Sequence, residues 1–362
     1  MEIERFQPLW HEANIELDAH VISIRRTARK IAHDAGFSKS RAEDIVLCVS
    51  ELAQNHISHK TKSGKIRIFA QRFLNGIKVF NLSSLDSGPG IKWLRQMVIR
   101  PYNSLTGSLG AGLNCVKRLS NEFAICSGKI GVLPCPDFLL NKKEVATLVS
   151  AFFCEPSSYV SGLPINFAYL IRPSGENRYC GDGVSFSFLD PFFKIVVIDA
   201  LGSGKEAALV TFRAKEIIEA LPADLPPDKL LYQVGRELLG TRGAMAIATR
   251  INVKEGQVDI ASVGDVSQAL YLDGKSDFVT GKSGTLGAIN TRNAFLKKSF
   301  SGFNEIMGII FTDGIKSVPK LKFKQSTGDW SALLWVNYLF SICNNSFNQE
   351  DDASIIVWKW KK

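Results

Sequence analysis

Residues 196–207, which read VVIDALGSGKEA, organise the second half of this 362-residue chain. Their apolar, β-branched start predicts a buried strand that ends at Asp199. The Gly-rich turn that follows leads into a helical pattern over residues 207–221. A carboxylate at the end of a buried strand is well placed to bind a metal ion. The stretch therefore predicts a strand, a turn and a helix with a candidate ligand between them.

Three more acidic positions stand at the edges of apolar, strand-like runs. Asp182 lies in a Cys-Gly-Asp-Gly segment, Asp313 follows a run that ends at Thr312, and the pair Asp351-Asp352 opens the last apolar run. Taken singly, an Asp beside a Gly is also typical of a plain turn. The four acids in this order favour a metal site, because Mg²⁺ and Mn²⁺ prefer oxygen ligands. Two such ions bridged by one carboxylate can activate water for attack on phosphorus.

These motifs resemble the SpoIIE/RsbX-like branch of the metal-dependent (PPM-type) protein serine/threonine phosphatases. The resemblance covers about residues 167–360. The matching motifs are Gly181-Asp182, Asp199-Ala200-Leu201-Gly202-Ser203-Gly204, Arg242-Gly243-Ala244, Ser262-Val263-Gly264-Asp265, Thr312-Asp313-Gly314 and Asp351-Asp352-Ala353-Ser354. It implies an α-β-β-α sandwich that binds two Mn²⁺ or Mg²⁺ ions between its sheets, and hydrolysis of phosphoserine or phosphothreonine.

The same resemblance assigns the metal ligands. Asp199 would bridge both ions and act as the central catalytic carboxylate, and Asp182 would serve the first ion. Asp313 and Asp351 would serve the second ion. The backbone carbonyl of Ala200 would complete the set, at a position where the family usually has Gly.

Two other acidic residues are weaker candidates. Asp352 is the alternative to Asp351, and the motif register favours Asp351. Asp265 follows an apolar run in Val263-Gly264-Asp265. We interpret Asp265 as a turn residue rather than a ligand.

The first 130 residues show a different pattern. An amphipathic helix is predicted over residues 18–35, ended by Gly36. A second helix is predicted to begin at Ser40, with Glu43 completing a capping box. This helix carries Glu51 and Asn55, four residues apart and therefore on one face.

A hairpin and two Gly-rich segments follow these helices. Strand-like runs over residues 65–73 and 76–82 flank an Asn75-Gly76 turn. The Gly-rich segments are residues 86–91 and 106–113, and the second leads into a helix predicted over residues 113–119. Glycines let a backbone approach phosphate, and a helix N-terminus offers free N–H groups, although loop glycines are more often plain turns.

In this order the elements resemble the GHKL ATP-binding fold, an α/β sandwich. The specific likeness, over about residues 10–130, is to the small serine kinases of the anti-sigma-factor and RsbT-like group. By that likeness Asn55 would hold Mg²⁺ against the ATP phosphates, and Glu51 would act as the base toward a protein serine. Asp86 would read the adenine amino group with Gly88 and Gly90 beside it. The lid over the phosphates would contain Gly107, Gly110 and Gly112.

Two interpretations of this first domain stay open. Glu51 favours a kinase that transfers phosphate. The lid is one residue shorter than the usual pattern, which favours a non-catalytic module that binds a nucleotide or a partner and gates the phosphatase. A non-catalytic scaffold is the third possibility for the whole chain, and the complete set of mutually repelling carboxylates argues against it.

Composition and charge indicate a soluble cytoplasmic protein. The hydrophobic fraction is 45% and the charged fraction 22%, as in globular domains. The seven scattered Cys residues favour reduced thiols over disulfides or a zinc site. The polar start of the chain predicts no signal peptide, and no apolar run reaches the length of a membrane span.

The basic surplus belongs to the front of the chain. Residues 1–130 contain 19 Lys and Arg against 11 Asp and Glu, a net charge of +8 out of the overall +9. No helix-turn-helix, RNP or zinc-finger signature accompanies this charge, so we predict an acidic protein partner or a nucleotide polyphosphate rather than nucleic acid.

The sequence thus predicts a two-domain signalling enzyme. The domains are a GHKL ATP-binding domain over residues 1–130, an ordered connector over residues 131–164 and a phosphatase over residues 165–362. In relatives of both halves the substrates are STAS-domain regulators that control a sigma factor or a stressosome-like complex, and the resemblance implies such partners here. The apolar segment at residues 326–343 is predicted to be a helix inserted between the last two metal carboxylates.

Overall fold

The computed structural model describes most of the chain, in segments separated by gaps. The described residues are 3–61, 63–88, 90–91, 111–127, 147–155, 162–175, 177–288, 295–315, 318, 330–343 and 351–362. The chain divides into two units, each with its own sheets and core. The larger part of the front unit is residues 9–161, and the larger part of the rear unit is residues 162–320.

The front unit is a five-stranded antiparallel sheet with helices on one face. The strand order is β1-β2-β3-β5-β4. The strands are β1 (Leu9–Asn14), β2 (Lys65–Arg72), β3 (Lys78–Asp86), β4 (Glu122–Ser127) and β5 (Thr147–Cys154). The helices are α1 (Asp18–Asp34), α2 (Lys39–Ser58) and α3 (Ala111–Leu119). The apolar faces of these helices bury the alternate residues of β2, β3 and β5 that point toward them.

A glycine ends the first helix and a serine cap begins the second. The buried side of α1 is formed by Val21, Ile24, Ala28, Ile31 and Ala32, as the periodicity predicts. Gly36 follows with φ of +84°, a conformation that favours glycine. The cap of α2 is Ser38, whose side chain accepts from the N–H of Arg41, so the predicted cap at Ser40 is wrong by two residues. Glu43 binds Arg29 with a 2.8 Å contact instead of completing a capping box.

The predicted connector contains a strand of the front sheet. β5 pairs with β3 on one side and with β4 on the other, and most of its residues are buried. The apolar centre of the segment is therefore sheet core, which moves the end of the front domain beyond residue 130. The sequence obscured this strand because a strand buried on both faces lacks polar–apolar alternation.

The rear unit contains two five-stranded antiparallel sheets, with strand orders β13-β10-β9-β8-β7 and β12-β11-β14-β15-β6. The strands are β6 (Asn166–Arg172), β7 (Asp182–Leu189), β8 (Phe192–Ala200), β9 (Ala244–Asn252), β10 (Gln257–Val263), β11 (Ser267–Leu272), β12 (Lys275–Thr280), β13 (Leu296–Phe300), β14 (Glu305–Phe311) and β15 (Ala353–Lys361). The helices α4 (Gly204–Ala220) and α5 (Pro227–Glu237) pack on the first sheet.

Side chains of the two sheets contact one another in the layer between them. Thr249 of β9 donates its hydroxyl to the side-chain oxygen of Gln268 on β11 at 2.8 Å, and both residues are buried. At the β6 edge, the ring of Phe167 lies 5.0 Å from that of Phe186 on β7. The two sheets therefore form a sandwich whose strand ends can present loops at a common edge.

Two chain segments group away from their sequence neighbours. Residues 1–8 belong to the rear unit, where Gln7 accepts from the N–H of Cys180 at 2.9 Å. A last helix, α6 (Ala332–Cys343), is shorter than the predicted 326–343, and its residues up to Tyr338 group with the front unit. There the side-chain amide of Asn337 donates to Asn81 of β3 at 3.2 Å.

Among the described residues, no helix combines the length and apolar character that a membrane crossing requires.

Candidate functional site

The sheet register brings the predicted carboxylates of the rear unit to one edge. Asp182 and Asp199 lie opposite each other at the paired ends of β7 and β8. β14 pairs with β15 along its length, so Asp313, just after β14, lies near Asp351, just before β15. Four strand ends therefore supply the four acids that the sequence singled out.

Three carboxylates form the closest group. Asp199, Asp265 and Asp313 each offer one oxygen, and these three oxygens all lie within 4.8 Å of one another. Asp265 follows the end of β10, and the sequence interpretation of it as a turn residue missed this grouping. The available signal was an acid at the end of an apolar run, as at Asp199.

The burial and the mutual repulsion of these carboxylates favour the binding of a cation. Burial, followed by the charges of Asp182 and Asp313, raises the pKa of Asp199 to about 10. Its Oδ2 atom is buried with no hydrogen-bond partner. A buried carboxylate oxygen without a donor carries a large desolvation penalty unless a cation binds it. The donor set consists of carboxylate oxygens only, which fits a hard divalent ion such as Mg²⁺ or Mn²⁺.

Asp182 is fixed by two hydroxyl groups. Its Oδ2 accepts from Thr312 at 2.8 Å and from Ser354 at 2.6 Å, and the residue is 3% exposed. Burial and the charge of Asp352 raise the pKa of Asp182 well above the usual range. These bonds hold the carboxylate beside Asp199 in a fixed orientation.

The two neighbouring acids of the last motif have different surroundings. Asp351 is exposed and its charge contributes to the raised pKa values of Asp199 and Asp313. Asp352 is buried, and its carboxylate accepts backbone N–H groups from Ser174 at 2.7 Å and Gly181 at 2.6 Å. The charge of Asp351 thus acts on Asp199 and Asp313, and the charge of Asp352 acts on Asp182. Asp351 is the member of the pair whose side chain is open to solvent.

Ala200 fits its place at the end of β8. The described non-Gly residues with positive φ are Lys60, Ser63 and Asp273, so Ala200 does not need the backbone freedom of glycine. Its N–H donates to the carbonyl of Gly181 at 3.1 Å.

The sheet edge that carries Asp182, Asp199, Asp313 and Asp351 is called the carboxylate edge below. The turn after β8 brings a basic side chain close to this edge. Gly202 has φ of +85°, and a Cβ there would lie 2.8 Å from the Nη1 atom of Arg242. A guanidinium group suits a planar contact with phosphate oxygens.

In the front unit, α2 presents the predicted pair Glu51 and Asn55, both half-buried. Glu51 contacts the start of α3, where a Cβ on Gly112 would lie 2.7 Å from its Oε2 atom. A carboxylate in this position is stabilised by the helix N-terminus.

Beside them, His56 is a packing residue. Its Nδ1 atom bonds the Thr61 hydroxyl at 2.8 Å, and its Nε2 atom bonds Ser84 at 2.9 Å. Burial lowers the pKa of His56 to about 4, so the ring is neutral at pH 7.

The other predicted nucleotide contacts lie after β3. Asp86 accepts the N–H of Gly88 at 2.8 Å, and burial raises its pKa. A side chain at Gly88 would collide with Asp86, because a Cβ would lie 2.9 Å from the Asp86 Oδ1 atom. Gly90 has φ of +78°. The predicted lid residues Gly107 and Gly110 lie outside the described residues.

Each half of the chain matches a known protein family. Residues 15–131 match the family model "Histidine kinase-like ATPase domain", and residues 193–361 match "Stage II sporulation protein E (SpoIIE)". The serine/threonine-protein kinase RsbT of Bacillus subtilis is 36% identical over 109 residues, which are 30% of this chain and 78% of RsbT. The chain belongs to the RsbT-related histidine kinase-like ATPases. It joins this ATPase-like domain to a SpoIIE-type phosphatase domain.

Two solved structures are similar to parts of this chain. RsbX in complex with magnesium is 24% identical, with 54% of this chain and 94% of that chain covered and a TM-score of 0.46. The RsbU and RsbW domains of Rv1364c from Mycobacterium tuberculosis are 18% identical, with 55% and 62% covered and a TM-score of 0.44. The SpoIIE match includes Asp199, Asp265, Asp313 and Asp351, and Asp182 precedes it.

Proposed function

We propose that this chain is a metal-dependent protein serine/threonine phosphatase with an ATP-binding, serine kinase-like front domain. The observation that carries the phosphatase proposal is the close group of Asp199, Asp265 and Asp313, in which the buried Oδ2 atom of Asp199 has no hydrogen-bond partner. A cluster of carboxylates this closely spaced is costly to fold unless cations bind it.

The residues of the rear unit divide the work. Asp199, Asp182, Asp313, Asp351 and the Ala200 carbonyl would hold two Mn²⁺ or Mg²⁺ ions. Such ions, when bound, polarise a phosphoryl group and activate water for in-line attack. Asp265 supplies further negative charge on the same edge.

Two further groups prepare this site for a phosphorylated side chain. The hydroxyls of Thr312 and Ser354 hold Asp182 in place. Arg242, next to the turn at Gly202, would bind phosphate oxygens and orient the phosphorylated side chain.

The test of the phosphatase is hydrolysis by the purified full-length chain. Release of phosphate from p-nitrophenyl phosphate and from a phosphoserine protein would be measured with Mn²⁺, with EDTA, and in Asp199→Asn. We expect Mn²⁺-dependent release that the variant lacks. No release by the folded, metal-loaded chain from either substrate would reject the proposal.

The front domain would bind ATP with Mg²⁺ held by Asn55, and Asp86 would read the adenine. Its 36% identity to a protein named as a serine/threonine kinase supports phosphate transfer with Glu51 as base. The contact of Glu51 with Gly112 supports the alternative, because a carboxylate there also stabilises α3 in a module that binds nucleotide and gates the phosphatase.

Transfer of label from γ-labelled ATP to a STAS-domain protein separates these two functions. A kinase is expected to label the protein, and Glu51→Gln, which preserves side-chain size, is expected to abolish the labelling while ATP still binds. ATP binding with no transfer by the wild-type chain would favour the gating module.

The partners would be phosphorylated STAS-domain regulators of a sigma-factor or stressosome-like partner-switching system in the cytoplasm. The relation to RsbT and the positive charge of the first 130 residues support an acidic protein partner over a nucleic acid. Saturable binding of a STAS protein, weakened by salt, is expected in a titration.

A further inference from the structure

Asp352 is a buried residue next to the carboxylate edge, and its side chain is hydrogen-bonded to the backbone of two other segments. The residue is 5% exposed. Its Oδ1 atom accepts the N–H of Ser174 at 2.7 Å, and its Oδ2 atom accepts the N–H of Gly181 at 2.6 Å. Each carboxylate oxygen thus has a backbone donor, in contrast to the unpartnered Oδ2 atom of Asp199.

The bond to Gly181 continues into the candidate metal site. Gly181 precedes Asp182, and its carbonyl accepts the N–H of Ala200 at 3.1 Å. The hydroxyl of Thr211 on α4 donates to the same carbonyl. The backbone of a single residue, Gly181, therefore connects the carboxylate of Asp352 to Asp182 and Ala200, two residues proposed to bind the metals.

The packing around Asp352 leaves little space for a side chain at Gly181 or Gly314. A Cβ at Gly181 would lie 3.3 Å from the Oδ2 atom of Asp352 and 3.2 Å from the Cβ of Ala207. A Cβ at Gly314, the residue after Asp313, would lie 1.9 Å from the carbonyl oxygen of Asp352. The backbone and side chain of Asp352 are therefore in contact with the segments that carry Asp182 and Asp313.

Ser354, the second residue of β15, connects the same segments. The N–H of Ser354 donates to the Thr312 hydroxyl at 3.0 Å, and the hydroxyls of both residues donate to Asp182. The start of β15 is thus bonded to the loop after β14 and to the start of β7.

We propose that Asp352 is a positioning residue that sets the metal affinity of the carboxylate edge by holding Gly181, and through it Asp182 and Ala200, without binding a metal itself. The proposal rests on the proposed metal-dependent phosphatase function. It assigns separate roles to the adjacent acids, since Asp351 would be a ligand and Asp352 would orient the backbone of other ligands. Hydrogen-bonded groups that orient metal ligands typically change metal affinity by about 10- to 100-fold when they are altered.

The test is Mn²⁺ binding by isothermal titration calorimetry with the full-length chain, beside activity as a function of Mn²⁺ concentration. Asp352→Asn keeps the shape of the side chain but replaces one acceptor with an N–H₂ group. We expect Mn²⁺ binding about 10- to 100-fold weaker. The Mn²⁺ concentration for half-maximal activity should rise by a similar factor, and most of the maximal rate should return at saturating Mn²⁺, because every ligand is retained.

Two variants distinguish positioning from charge and from ligation. Gly181→Ala crowds the same hydrogen bond without altering any charge, and it is expected to weaken Mn²⁺ binding as Asp352→Asn does. Asp351→Asn removes a proposed ligand, and saturating Mn²⁺ should not restore its rate. Melting curves in EDTA verify that each variant is folded. If Asp352→Asn does not fold, the Mn²⁺ affinity of Gly181→Ala decides the proposal.

Wild-type Mn²⁺ affinity in Asp352→Asn would overturn the proposal. Weak binding in Asp352→Asn with wild-type affinity in Gly181→Ala would assign the effect to charge alone and would overturn it too. A wild-type chain that binds Mn²⁺ but hydrolyses no phosphoester would instead reject the phosphatase function, while the affinity comparison would still decide the role of Asp352.

Discussion

The two candidate sites of this chain are built in opposite ways. In the rear unit, strand ends from two sheets hold like charges together, and the buried Oδ2 atom of Asp199 has no partner. In the front unit, Glu51 and Asn55 share a helix face, and the buried groups around them, such as His56, have hydrogen-bond partners. The first site stores electrostatic repulsion that a cation relieves, and the second has a stable frame that does not depend on a ligand.

The largest expected effect is on phosphate release. Asp199→Asn should reduce Mn²⁺-dependent hydrolysis of p-nitrophenyl phosphate about a thousandfold, because metal ions contribute several kcal/mol to the transition state. ATP affinity, measured by calorimetry, should stay unchanged. Equal loss of both functions would contradict the independence of the two sites.

Acid should affect the two units in opposite directions. The pKa of His56 is lowered from 6.5 to about 4, so the unfolded chain binds more protons between these pH values. Front-unit stability should therefore fall by about 3 kcal/mol as the pH drops from 6.5 to 4. The raised pKa of Asp199 has the opposite sign, since protonation removes repulsion in the metal-free rear unit.

Calorimetric melting curves at pH 6.5 and 4 measure this difference, with the front transition identified by its shift with ATP. In His56→Gln the acid-induced loss should be much smaller. An equal loss in wild type and variant would show that other groups destabilise the front unit in acid.

Nucleotide affinity should depend on Asp86. Asp86→Asn retains an oxygen that can accept from Gly88 but replaces the charged acceptor proposed for adenine. ATP binding should weaken about 10- to 100-fold, the range for hydrogen bonds to charged groups. Phosphatase activity on p-nitrophenyl phosphate serves as the control, and unchanged ATP affinity would contradict the proposed adenine contact.

The repulsion in the rear unit also predicts a stabilising variant. In EDTA, Asp199→Asn should raise the melting temperature by a few degrees, or about 1 kcal/mol, because it removes a carboxyl group whose ionisation is disfavoured in the folded state by burial and by the neighbouring acids. Added Mn²⁺ should stabilise the wild type and have little effect on the variant. A lower melting temperature in EDTA would mean that the carboxylates are not mutually destabilising.

The smallest effect is expected at Ala200. Ala200→Gly restores the residue common in the family but adds backbone freedom within β8, which should cost about 0.5–1 kcal/mol of stability. Phosphatase activity at saturating Mn²⁺ should change little, because the backbone carbonyl is present in both forms. A large gain in activity would show that the alanine holds this carbonyl away from a metal.

Local sequence patterns determined much of this protein. Apolar periodicity set α1 and α2, Gly36 and Gly76 marked turns that require positive φ, and the order of acids after apolar runs indicated the carboxylate edge. These features follow from backbone sterics and burial, which act over a few residues and are visible in the letters.

Only the tertiary structure decided which acids meet. Asp265 joins Asp199 and Asp313 because antiparallel pairing brings distant strand ends to one edge, and Asp352 turns toward Gly181 although it adjoins Asp351. Likewise, β5 is a strand of the front sheet because it pairs with β3, some 70 residues earlier in the sequence. Such outcomes depend on pairing and packing between residues far apart in the chain, and no local pattern specifies those contacts.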